Sequence, residues 1–185
     1  GQFFFQFSAI SFGADIACLM LIYINFNTDF VFFLYQIGEL IIATFLALEI
    51  GIFKKKIRYF HLLVCLSQVI SFLLLSIKMN LNASHDYISG ISKLYILILT
   101  FFSALSYIKH SESNSKIDFA PLIGLLGIFI FEALSIIPFI SLQLQNLSGN
   151  TQKLTTLYLI LVVSGNIIRD ILVSYNAILN LKKMA

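Results

Sequence analysis

The sequence predicts an all-α integral membrane protein, a single polytopic domain over residues 1–185 built as a bundle of about six transmembrane helices with both termini cytoplasmic. Three observations carry that prediction. Hydrophobic residues make up 59% of the chain and charged residues only 11%, whereas a soluble domain carries about 25% charge. The apolar residues run continuously, without the period-two alternation of a membrane β-barrel. The basic residues gather in every second break between those runs, as the positive-inside rule requires of a polytopic helical protein.

The elements follow in order. Apolar segments cover roughly residues 2–26, 30–53, 59–77, 91–108, 119–142 and 154–179, each close to the length that crosses hydrocarbon. Turn formers and charges separate them. Asn27-Thr28-Asp29 follows the first, Lys54-Lys55-Lys56-Ile57-Arg58 the second, the stretch from Asn80 to Gly90 the third, His110 to Lys116 the fourth and Gln143 to Lys153 the fifth. Lys54, Lys55, Lys56, Arg58, Lys109, Lys116, Lys182 and Lys183 fall on one side, and Lys78, Lys93 and Lys153 on the other. The first side is therefore expected to be cytoplasmic, in the cell (inner) membrane.

Composition also narrows function. Basic residues exceed acidic ones by only 12 to 9, too small an excess to point to nucleic acid. Cys18 and Cys65 lie inside apolar runs with no CxxC pair or Cys/His cluster, so no disulfide framework, metal site or cofactor is expected. No Gly-x-Ser-x-Gly elbow, zinc-binding His-Glu-x-x-His helix or phosphate loop occurs.

The chemistry sits inside the segments. A charge near the bilayer centre costs roughly 2.5–3.5 kcal/mol on insertion scales, so each one marks a candidate functional position. Asp15, Glu39 and Glu132 lie near the middles of the first, second and fifth segments, and Arg169 and Asp170 just past the centre of the sixth. Helical spacing groups them with polar neighbours. Ser11, Asp15 and Cys18 share a side. Gln36 and Glu39 continue into a small-residue ridge of Ala43, Ala47 and Gly51. His61, Cys65 and Gln68 form one stripe, Gly124, Glu132 and Ser135 another, and Asn166, Arg169, Asp170 and Asn176 a third. Five segments thus carry polar stripes that lipid cannot satisfy, and a bundle interior is where they belong.

The candidate ligand or proton-binding residues are Asp15, Glu39, Glu132, Asn166, Arg169 and Asp170, with Gln36, His61 and Gln68 secondary. They fit a small transport or substrate-capture protein that binds a small polar or cationic solute, or a proton, in an intramembrane polar cavity. Two other readings use the same residues: a membrane sensing domain or accessory subunit of a larger signalling or transport complex, and an intramembrane lipid hydrolase with paired carboxylates. A purely structural role, with Arg169 paired to an acid and the set fixing helix packing, is the fourth. The expected partners are the lipid bilayer, a small-molecule ligand and a membrane or cytoplasmic partner protein.

In span number and size, about six in 20.9 kDa, the chain resembles the substrate-capture subunits of energy-coupling-factor vitamin transporters. The likeness is one of architecture, carried by no motif. It implies capture of a small solute. Because the chain has no nucleotide-binding loop, it also implies that any ATP-driven step belongs to partner subunits.

Overall fold

The computed structural model describes residues 29–78, 81–113, 118–146 and 152–184, with Gly13 and Met20 as isolated positions. The described chain forms five helices: α1 (Asp29–Ile50), α2 (Lys55–Lys78), α3 (Leu81–Ser113), α4 (Phe119–Asn146) and α5 (Gln152–Met184). They correspond to the second to sixth apolar segments. The first segment, and Asp15 with it, lies outside the described residues. Among the described residues, four helices are long and apolar enough to cross a membrane, through Phe33–Ile50, Lys55–Leu75, Ser89–Ser111 and Phe119–Ile137. An all-α architecture of this kind points to a lipid bilayer as its surroundings.

Local chemistry sets the helix ends. After Ile50 the chain bends at Gly51, whose N–H donates to Ala47 O at 2.8 Å, and Phe53 N–H donates to Gly51 O at 2.7 Å. A Cβ at Gly51 would stand 2.9 Å from Ala47 O, so this turn needs glycine. The Lys54 carbonyl then accepts from Ile57 and Arg58 and opens α2. Asp118 caps α4, its Oδ1 accepting from Ala120 N–H at 3.0 Å, and Pro121 falls in the first turn, where its missing N–H leaves no helical bond unmade.

One boundary departs from the expected pattern. The stretch from Asn80 to Gly90, expected as a loop carrying His85 and Asp86, is helical from Leu81 onward. Its polar residues broke the hydropathy pattern, but Leu81-Asn82-Ala83-Ser84 contains no proline and no glycine before Gly90, so nothing forbids the helix. With 33 residues, α3 is about 50 Å long, well beyond the ~30 Å of hydrocarbon.

α3 is the central helix, packed against α1, α2 and α4, while α5 packs along α4. One core cluster joins all five helices through Leu40, Ala43 and Leu46, then Cys65, Ile96, Ile128 and Val173. A second joins Ala47, Leu48, Leu99 and Leu125. Ala43 and Ala47 are fully buried in these clusters, so the small-residue ridge is where other helices approach α1. Phe33 and Phe72 close the other end edge-to-face, with ring centroids 5.7 Å apart. Large aliphatic side chains are meanwhile exposed on every helix, on α2 above all, where Leu63, Leu66, Ile70, Leu73, Leu74 and Ile77 face outward. In water such a surface would aggregate; in a bilayer it is the solvated face.

Candidate functional site: a buried charge network

Glu39, Glu132, Arg169 and Lys93 meet between α1, α3, α4 and α5. Counted along each helix at 1.5 Å per residue, they lie about 15–25 Å from the helix ends on one side, and so at similar depth. Arg169 is the hub, with a fully buried side chain. Its Nη1 donates to Tyr35 Oη at 2.9 Å and to Glu39 Oε1 at 3.2 Å, while its Nε donates to Asp170 Oδ1 at 3.1 Å. The Tyr35 hydroxyl donates in turn to Glu39 Oε1 at 2.9 Å. Tyr35 and Glu39 are one helical turn apart, which puts both on the face that meets the guanidinium.

Lys93 enters from α3. Its Nζ stands 3.9 Å from Glu39 Oε2 and 3.6 Å from Glu132 Oε2, so one ammonium is shared by carboxylates of two helices. The Phe131 ring lies under both cations, 4.8 Å from Lys93 Nζ and 4.3 Å from the Arg169 guanidinium carbon. An aromatic face at that distance attracts each cation without neutralising it.

Lys93 and Tyr35 are the members of the network that sequence reasoning missed; it read Lys93 only as a basic residue towards the outer face, whereas the structure turns it to two acids of the bundle. The Lys93 side chain is 15% exposed and turned inward to the two acids. The signal was a sixth polar stripe, Ser89, Ser92, Lys93, Thr100 and Ser103, which recurs at helical spacing. Its four hydroxyl residues are all buried. Thr100 and Ser103 return their hydroxyls to their own helix, at Ile96 O and Leu99 O. Ser89 and Ser92 reach outward instead: Gln36 Nε2 donates to Ser89 Oγ at 3.0 Å, and Ser92 Oγ donates to Gln68 Oε1 at 2.9 Å.

The candidate residues therefore divide. Glu39, Glu132, Arg169 and Asp170 come together, and Gln36 and Gln68 stand at the margin of the network through Ser89 and Ser92. Asn166 lies one turn before Arg169 with its Oδ1 buried and unbonded. His61 stands apart, its ring 6.1 Å from that of Tyr95, and the Tyr95 hydroxyl donates to His61 O at 3.1 Å. Asp15 falls outside the described residues. Glu49 is exposed and takes no part.

Glu132 differs from the other acids. It has no exposed surface, and neither carboxyl oxygen has a hydrogen bond, since 3.6 Å to Lys93 is beyond hydrogen-bond reach. Ser135 Oγ, one turn on, is also buried and unbonded, as is Gln36 Oε1. Among the described residues, three carboxyls face two basic side chains. Beside them Gln36, Glu39, Ser89, Ser92 and Lys93 line a cleft of about 10 Å³, room for about one water-sized particle. That cleft opens beside Glu39 and is too small for a drug-sized solute. No group of three or more His, Cys, Asp or Glu among the described residues is arranged to hold a metal ion. No family model, curated protein or solved structure matches this chain.

Proposed function

We propose that the protein is a small transport protein of the cell membrane, crossing the bilayer about six times with both termini cytoplasmic, and that its charge network binds a proton or a small monovalent cation within the membrane. The observation that carries this reading is Glu132: a wholly buried carboxyl with two unbonded oxygens, sharing its nearest cation with Glu39. A group built only to fix helix packing would have its oxygens satisfied, because an unmade bond at a buried polar group costs about 1–3 kcal/mol. An intramembrane carboxyl left open in that way is the usual mark of an ion or proton pathway. The water-sized cleft beside Glu39 favours a proton or small cation over a larger polar solute.

The test is flux in proteoliposomes. Protein reconstituted with a trapped pH indicator dissipates an imposed proton or potassium gradient, and Glu132→Gln, folded and inserted, abolishes that flux. Equal flux through wild type, Glu132→Gln and protein-free liposomes contradicts the reading.

A further inference from the structure

At the end of the bundle where α2 begins and α3 finishes lies an open cleft of about 420 Å³, within the usual size range of small-molecule sites. Phe53, Ile57, His61, Phe102, Leu105 and Lys109 line it. Its walls are apolar and outward-facing: Ile57, Phe102 and Leu105 are each between 42% and 54% exposed. Its rim is basic. Lys54, Lys55 and Lys56 lie in sequence between the lining residues Phe53 and Ile57, Arg58 follows, and all are exposed. Lys109 enters from α3. Among the described residues no carboxylate pairs with any of these five cations; Lys55 lies 5.9 Å over the Tyr59 ring instead.

We propose that this cleft is a binding site for one anionic phospholipid, its phosphate held at Lys109 and the Lys54–Arg58 rim and an acyl chain laid along Phe102 and Leu105. Charge complementarity selects the occupant: uncompensated cations at the mouth of an apolar groove between two helices match a headgroup that is anionic and a tail that is not. A soluble anion would leave the apolar walls unfilled, and a zwitterionic lipid would bring a second cation to a basic rim.

The experiment is native mass spectrometry of the full chain released from nanodiscs of phosphatidylcholine containing a minor fraction of phosphatidylglycerol. Wild type retains one phosphatidylglycerol in preference to phosphatidylcholine. Lys109→Gln lowers that retention about fivefold, equivalent to about 1 kcal/mol for one basic residue at an anionic surface, and Lys109→Arg keeps it. Ile57→Trp, which fills the cleft without touching a charge, also lowers retention and carries the test if Lys109→Gln fails to fold. Three results overturn the proposal: equal retention of phosphatidylcholine, displacement of the lipid by inorganic phosphate, or retention unchanged in both Lys109→Gln and Ile57→Trp.

Discussion

Arg169 and Glu132 sit in the same network but should differ in how far substitution costs stability. Arg169 satisfies Tyr35, Glu39 and Asp170 at once, so Arg169→Met leaves the buried Glu39 with only the more distant Lys93 and strips Asp170 of its ion pair. That loss is expected to destabilise the protein by about 3–5 kcal/mol, read as thermal unfolding in micelles. Arg169→Lys recovers only part of it, since a single ammonium cannot reproduce the planar fork that reaches three partners. Glu132 makes no hydrogen bond, so Glu132→Gln is expected to change stability by less than about 1 kcal/mol while removing ion or proton uptake. Much of this network was legible in the sequence because a charge inside an apolar run is conspicuous: Glu39, Glu132, Arg169 and Asp170 all stand out. Lys93 did not, because a lysine two residues into an apolar segment reads as a flanking charge that snorkels to the interface. Tyr35 did not either, because a phenol among so many aromatics looks like packing.

Among the helices, the α4–α5 contact decides whether Arg169 can reach its partners. A Cβ on Gly127 would stand 3.0 Å from Leu172 Cβ and 3.2 Å from Arg169 O, closer than the two backbones can accept without moving. Gly127→Ala should therefore push α5 away from α4, costing about 1–3 kcal/mol as an overpacking substitution, and should weaken cation or proton uptake although residue 127 touches no ligand. The measurement is a paired one, unfolding and flux on the same preparation. Asn176 supports the same contact by donating to Ala120 O, beside the Asp118 cap that starts α4. Of these features, helix existence was readable from hydropathy, and so was α4's start at Phe119, where the apolar run resumes after Lys116. The start of α3 was not, because polar residues at 82–86 end the apolar run without ending the helix. Hydropathy reports where lipid begins; it does not report where hydrogen bonding stops.

The whole molecule is organised by two polar regions at different depths: a charge network inside the bundle, and a basic rim at the end where α2 begins and α3 finishes. The proposed orientation puts that rim in the cytoplasm. In a Cys18→Ser, Cys65→Ser background, a membrane-impermeant thiol reagent added to intact cells should leave Lys55→Cys and Lys109→Cys unlabelled and should label Lys78→Cys. The reverse pattern would place both termini outside. The sequence made the membrane class plain, since composition alone requires a lipid solvent. It could not show which stripes meet, because helical spacing orders residues around one helix and says nothing of which neighbour that face will find. The sharing of Lys93 between Glu39 and Glu132 is a property of three helices together.

The central claim is that Glu132 exchanges a proton or small cation within the bundle, and infrared difference spectroscopy of the lipid-reconstituted protein tests it most directly. The account predicts a buried-carboxyl band that responds to pH or to an added monovalent cation, is absent in Glu132→Gln and is unchanged in Glu49→Gln. Identical difference spectra for wild type and Glu132→Gln would contradict it, leaving the network as a device for holding four helices together.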